Sequence, residues 1–258
     1  MSRKKHFGVC HLCGDFGELS FEHVPPRAAF NERPVIARKI DEILKAGSWE
    51  TAKGKIFQRG AGAYTLCERS NNNTGAWYGR DFVEWVYQGM TVLQAADQCP
   101  TFYYNFHIFP LRVIKQIACM FFSVNLPEFQ RAQPALAKFV LDKENRHLPH
   151  GMKVYLFYSV GNNLRQSGVV HLLDLHKQGA TFAEICFPPY GYVLSFDNPP
   201  HPQLLDISNF SEARFNTFTS LSFQIPVLPV ITYYPGDYRS PSQIRKQFEE
   251  NQKSDKRT

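Results

Sequence analysis

The stretch LCERSNNNTGAWYG, residues 66–79, decides how the N-terminal part of the chain folds. Cys67 is followed three positions later by Ser70, where a second cysteine would complete a metal-binding pair. Three asparagines and a glycine come next, and large apolar residues then recur at helical spacing from Trp77. The stretch therefore predicts the end of a metal-binding turn and the entrance to a helix. Because asparagine is a favoured N-cap residue, the three asparagines could also simply begin that helix.

A second cysteine motif lies upstream, in CHLCG. Cys10 and Cys13 have the spacing with which one turn offers two thiolates to a tetrahedral ion, although two cysteines of a small core would have the same pattern. Because a neutral hydroxyl is a poor zinc ligand, Ser70 predicts a structural zinc site that is weakened to three thiolates or lost, with packing in its place. The other candidates for the open ligand position are water, His6, His11 and Cys99.

Between the two cysteine motifs, FEHVPP (residues 21–26) places a carboxylate beside an imidazole at the end of a short predicted strand. Adjacent strand residues face opposite sides of a sheet, so Glu22 and His23 approach one ion only if the strand bends. The two prolines favour such a bend. An imidazole of near-neutral pKa can act as a general base, but a histidine at such a position can equally be structural.

In this order the pieces resemble the HNH endonuclease family, whose active unit is a ββα-metal fold, stabilised by zinc in some members. The resemblance covers roughly residues 8–80. It implies that His23 is the general base and that Glu22 and Asn71 bind a catalytic Mg²⁺ or Mn²⁺ ion. Asn72 or Asn73 would replace Asn71 if the helix register differs.

Two features depart from the family pattern. The asparagine that orients the base usually stands a few residues before the third cysteine, where this chain has GAGAYTLC without an asparagine. The segment from His23 to Cys67 is also long for so small a module, and residues 31–60 have the mixed, charged composition of an insertion. We expect the first departure to affect the rate of cleavage more than the position of the site.

The rest of the chain predicts helices and then, from Met152, strands of period two separated by turn residues. The predicted fold class is therefore α+β. We predict a ββα-metal nuclease module at 1–80, a larger helical and mostly antiparallel sheet region at 81–240, and a charged tail at 241–258. No motif in the second region indicates a reaction, so we expect it to select substrate, sense a signal or mediate self-association.

The positive charge lies mainly at the two ends of the chain. Residues 1–70 carry 12 Lys and Arg against 8 Asp and Glu, and residues 239–258 carry 6 against 3. This distribution suits a polyanion such as double-stranded DNA, although ordinary solubilising charge has the same composition. Because no secretory signal and no run of roughly 20 apolar residues is present, we expect a cytoplasmic protein without a membrane partner.

The resemblance and the charge together predict a metal-dependent endonuclease that hydrolyses phosphodiester bonds in DNA. Similar fusions occur in bacterial and phage defence, including antiviral defence, and the resemblance is compatible with that context. Two other functions stay open. The chain could be a zinc-knuckle module that binds nucleic acid or a protein partner without cutting, or a regulatory protein with a relic nuclease module. A homo-oligomer or a protein partner through the C-terminal region is compatible with each.

Overall fold

The computed structural model describes residues 5–48, 51–95, 101–161, 163–173 and 179–255. The chain is α+β, as the sequence predicts. The strands are β1 (His6–Val9), β2 (Phe16–His23), β3 (Val35–Ala37), β4 (Lys55–Phe57), β5 (Gly62–Cys67), β6 (Thr101–Ile108), β7 (Lys153–Val160), β8 (Arg165–Leu173), β9 (Gly179–Phe187), β10 (Tyr190–Ser195), β11 (Leu205–Asp206) and β12 (Thr219–Pro229). The helices are α1 (Ile40–Ala46), α2 (Glu68–Thr74), α3 (Arg80–Ala95), α4 (Pro110–Val124), α5 (Glu128–Ala132), α6 (Pro134–Leu141) and α7 (Pro241–Asp255), with a π-helical segment at Gly75–Gly79 and a 3-10 helix at Ser208–Glu212.

The N-terminal part is a three-stranded antiparallel sheet in the order β1-β2-β5, followed by a helix. At the end of β2, Glu22 pairs with Ala63 and His23 with Gly62. A register shift lies at Ser20/Phe21, so the irregularity in β2 precedes the predicted bend at the prolines. Helix α2 follows β5 directly and packs back against both β2 and β5.

The helix that starts at Glu68 continues through the π-helical segment into α3. Cys67 is the residue before the first turn, with an extended backbone, and the three asparagines lie inside α2. The interpretation of the asparagines as N-cap residues is therefore wrong. A π-helical turn adds one residue to the helical repeat and often marks a functional site.

Residues 24–61 connect β2 to β5 and contain a small hairpin of β3 and β4 with α1 between them. Asn31, which is 1% exposed, joins the two ends of this connection. Its Nδ2 donates to the carbonyl oxygens of Pro25 at 2.7 Å and Ala61 at 2.8 Å, and its Oδ1 accepts from the Ala61 N–H at 2.7 Å. The insertion is thus closed at its base by one buried side chain.

The second region contains a larger sheet in the order β6-β12-β7-β10-β9-β8, with β11 beside β7. The pairing is antiparallel except between β12 and β7, which confirms the predicted mostly antiparallel sheet. Helix α4 contacts elements of both regions: β5 and the π-helical segment of the first, and β8, β9 and β10 of the second. One hydrophobic core includes residues of both parts, such as Leu12, Leu66 and Phe121. The division near residue 80 stays a prediction.

The C-terminal helix α7 extends over 15 residues of the segment predicted as a charged tail. Its side chains are mostly polar. Among the helices of the described residues, none has both the length and the apolar composition that crossing a bilayer requires.

Candidate active site

Three cysteines from two separate segments meet beside the first turn of α2. The sulfur atoms of Cys10, Cys13 and Cys67 lie within 4.8 Å of one another. Cys10 and Cys13 come from the turn between β1 and β2, and Cys67 ends β5. Such a group could hold a metal ion such as zinc.

Ser70 occupies the fourth position of this group. The thiols of Cys67 and Cys10 donate to its Oγ at 3.3 Å and 3.6 Å, and the residue is 2% exposed. Of the other candidates for the open position, His6 stacks on Tyr64 with ring centroids 3.6 Å apart, and neither His6 nor His11 belongs to the group. Cys99 lies outside the described residues.

The backbone around Cys10 favours its thiolate form. Burial raises the pKa of Cys10, but backbone N–H groups of Cys13, Cys67 and Leu12 point at its sulfur, and their combined effect lowers the pKa. The Cys13 and Cys67 N–H groups lie 3.5 Å and 3.3 Å from the sulfur. Burial raises the pKa of Cys13 to about 11. A cation would hold both sulfurs as thiolates, since the thiolate is the ligand that binds metal.

A cavity of about 210 Å³ lies beside α2 and the π-helical segment. Glu22 and His23 line it from the end of β2, and Asn71 lines it from α2. The structure therefore brings together the acid, the imidazole and the asparagine that the resemblance assigns to catalysis, although 47 residues separate His23 from Asn71. The cavity is also lined by Phe21, Pro26, Arg27, Thr74, Gly75, Gly79 and Gln116.

The His23 ring is held at one nitrogen. Its Nε2 lies 3.0 Å from the backbone carbonyl oxygen of Arg59, which can only accept, so Nε2 carries the hydrogen and Nδ1 keeps its lone pair. Burial lowers the pKa of His23; the carbonyl raises it, and the charges of Arg27 and Arg59 lower it further, so the pKa lies below its ordinary value. The imidazole is thus neutral at pH 7 and can accept a proton.

Glu22 has a carboxylate that no described side chain neutralises. Burial alone raises its pKa to about 7. Burial disfavours the ionised form of a carboxylate, and a bound cation would favour it. The residue is therefore suited to binding a metal ion or to carrying a proton near neutral pH.

Asn71 is positioned by its own amide. Its Nδ2 donates to Ser20 Oγ at 3.0 Å, and Ser20 in turn donates to the Leu66 carbonyl at 2.9 Å. This bond uses one of the two Nδ2 hydrogens, and no described donor reaches Oδ1, so Oδ1 can accept a cation. Asn72 and Asn73 are exposed and do not line the cavity.

Sequence reasoning missed three residues that shape this site. Arg59 holds the His23 ring through its backbone, Asn31 holds the segment that contains Arg59, and Gln116 reaches the cavity from α4. A backbone carbonyl carries no sequence signal. Asn31 and Gln116 lie outside the resemblance or outside its motifs, and only the tertiary contacts bring them to the site.

Comparisons of the chain with models of protein families, with curated proteins and with solved structures found no match. The function is therefore argued from the geometry of this cavity and from the motifs that line it.

Proposed function

We propose that this chain is a metal-dependent HNH-type endonuclease that hydrolyses phosphodiester bonds in double-stranded DNA. One observation carries the proposal: Glu22, His23 and Asn71 line the same cavity although they come from distant parts of the chain. A carboxylate, a neutral imidazole and an amide oxygen are the groups that such hydrolysis needs.

The oxygen atoms at the cavity suit a hard divalent cation. Mg²⁺ and Mn²⁺ prefer carboxylate and amide oxygens, and Glu22 and Asn71 supply one of each. When bound, such an ion would stabilise the negative charge that develops on the scissile phosphate. Glu22 then stays ionised at neutral pH, because the cation offsets the burial that raises its pKa.

His23 is proposed to take the proton from the attacking water. The Arg59 carbonyl fixes the hydrogen on Nε2, so Nδ1 is the accepting atom. Arg27, which is exposed and lines the cavity, offers a guanidinium group to a phosphate oxygen. The His23 imidazole and the Arg27 guanidinium line the same small cavity. A water held by one group can therefore be positioned against a phosphate held by the other.

We propose that the cysteine group binds a structural zinc ion with three thiolates. This ion would tie the β1–β2 turn to the start of α2, and thereby fix Asn71 relative to the end of β2. Because thiolates must stay reduced to bind zinc, this role also favours the cytoplasm as the compartment.

The test is cleavage of supercoiled plasmid by the full chain with Mg²⁺ or Mn²⁺. The wild type is expected to nick or linearise the plasmid, and EDTA to stop it. His23→Ala is expected to lose at least about 100-fold in rate, because general-base catalysis contributes this much. His150→Ala is the matched control, since His150 is exposed and lies outside the cavity.

Asparagine variants test the ligand assignment. Asn71→Ala is expected to lose cleavage, whereas Asn72→Ala and Asn73→Ala are expected to keep it. Cleavage that survives His23→Ala, or no cleavage with any divalent metal, would instead favour a module that binds DNA or a partner without cutting it, or a regulatory protein with a relic site.

A further inference from the structure

Gln116 is a buried amide in the middle of α4, in the region that follows the nuclease-like module. It is 3% exposed, and its Oε1 has no hydrogen-bond partner among the described residues. A buried acceptor without a donor is unusual in a folded protein and lowers its stability. The neighbouring side chains of α4 offer this oxygen no donor, because most of them are apolar and pack into the core.

Gln116 also lines the cavity that contains Glu22, His23 and Asn71. The helix opposite presents Gly75 and Gly79 to this cavity, and a Cβ at either position would meet no described heavy atom within 4 Å. The absence of side chains at these two positions of the π-helical segment leaves the cavity open. One buried and unpartnered oxygen therefore borders the space that the proposed ion would use.

Arg27 also lines this space, but it is exposed and makes no described hydrogen bond to Glu22, Asn71 or Gln116. The other polar groups are mostly acceptors. The Glu22 carboxylate has no described partner, Asn71 uses one Nδ2 hydrogen on Ser20, and the Thr74 hydroxyl donates to the carbonyls of Ser70 and Asn71. The amine of Lys115, the residue before Gln116, donates to the carbonyl oxygens of Phe139 and Asp142. The Glu22 carboxylate, Asn71 Oδ1 and Gln116 Oε1 thus border one cavity without a described donor, and a divalent cation binds such oxygen groups.

We infer that Gln116 supplies a third protein oxygen for the divalent cation, beside Glu22 and Asn71. This inference rests on the proposed function. It means that the metal site is shared between the N-terminal module and α4, so that the second region completes the active site as well as serving any targeting role.

The test is Mn²⁺ binding to the zinc-loaded full chain without DNA, measured by isothermal titration calorimetry. Gln116→Leu is expected to weaken Mn²⁺ binding by about tenfold or more. Gln116→Glu keeps an oxygen at this position and is expected to bind Mn²⁺ at least as tightly as the wild type. Ser123→Ala, on the same helix but outside the cavity, is the matched control and is expected to bind like the wild type.

Thermal unfolding in EDTA separates a ligand from a structural residue. Gln116→Leu removes an unpaired buried oxygen, so its Tm without metal is expected to equal or exceed that of the wild type. A Tm well below the wild type with unchanged Mn²⁺ affinity would overturn the inference. If Gln116→Leu does not fold, Gln116→Glu decides: an Mn²⁺ affinity below that of the wild type overturns the inference.

The two proposals fail in different ways. If the wild type cleaves plasmid and Gln116→Leu binds Mn²⁺ within twofold of it, the inference about Gln116 is wrong and the nuclease proposal stands. If the wild type binds Mn²⁺ through Gln116 but cleaves no DNA, the inference stands and the nuclease proposal is wrong. A wild type that binds no Mn²⁺ overturns the inference.

Discussion

The Nε2 atom of His23 lies 3.0 Å from the carbonyl oxygen of Arg59, 36 residues further along the chain. This contact orients the ring that we propose as the general base. Arg59 is in turn held by its neighbour Ala61, which exchanges two hydrogen bonds with the buried side chain of Asn31. The family pattern has an orienting asparagine before the third cysteine, which this chain lacks. Here the orienting group is a carbonyl held by an asparagine from the other end of the insertion.

Asn31→Ala is expected to destabilise the protein and slow cleavage. The variant removes three hydrogen bonds of a buried side chain, which corresponds to roughly 3 kcal/mol of unfolding free energy. Because the Arg59 segment loses its anchor, cleavage is expected to fall on the order of 10- to 100-fold. Urea unfolding and plasmid cleavage well below the Tm of the variant measure the two effects. The exposed Asn73→Ala serves as control, and full activity in Asn31→Ala would contradict the proposed positioning.

Gly75→Ala is expected to raise stability and lower activity. Gly75 has helical angles (φ −59°, ψ −44°), so alanine stabilises the helix there by about 0.5–1 kcal/mol. Its Cβ would enter open space at the edge of the cavity and reduce the room for substrate. The Tm is expected to rise, and the rate of plasmid cleavage is expected to fall. Gly17→Ala, also in open space but outside the cavity, is expected to leave cleavage unchanged. Unimpaired cleavage in Gly75→Ala would show that this edge is not used.

Ser70→Cys is expected to create a fourth thiolate in the zinc site. The Ser70 hydroxyl already lies within 3.6 Å of two of the three sulfurs, so the new sulfur needs little rearrangement. We expect the Tm to rise by roughly 5 °C with zinc, which corresponds to about 2 kcal/mol. Scanning fluorimetry and metal analysis with and without EDTA measure the effect. Ser70→Ala adds no ligand and is expected to show no such gain. A Tm for Ser70→Cys that does not respond to zinc would mean that the group binds no zinc.

The buried amine of Lys115 is expected to make the stability of the protein depend on pH above neutrality. Burial lowers its pKa from 10.5 to about 7, although the charges of Asp142 and Glu144 oppose this. Between these two values the unfolded chain binds a proton that the folded chain does not, so folding becomes more favourable as the pH rises. Relative to Lys115→Met, the unfolding free energy of the wild type is expected to rise by a few kcal/mol from about pH 7 to 10.5.

Urea titrations of both proteins at pH 7, 8, 9 and 9.5 measure this difference. The hydrogen bonds from Lys115 to the carbonyls of Phe139 and Asp142 are lost in Lys115→Met at every pH, so they shift the difference without giving it a slope. A neutral amine still has two hydrogens for these carbonyls. A difference that stays constant with pH would mean that Lys115 remains charged in the folded protein.

Much of the architecture could be predicted, because local patterns determine it. The spacing of Leu111, Ile114 and Phe121 predicts α4, and the alternation after Met152 predicts the strands of the large sheet. The cysteine spacing likewise predicts the group around Cys10 and Cys67. The structured hairpin inside the insertion was not predicted, because its strands have only three residues each and no clear periodicity.

The amino-acid sequence alone therefore determined the fold class, the cysteine turn, and the identity of Glu22, His23 and Asn71 as candidates, since each depends on spacing within a short segment. Only the tertiary structure decided that these three residues line one cavity, that Arg59 and Asn31 orient His23, and that Gln116 borders the same space. The physical reason is that these relationships are contacts between distant segments. They arise from pairing of β2 with β5 and packing of α4, and side-chain periodicity carries no information about which segments meet.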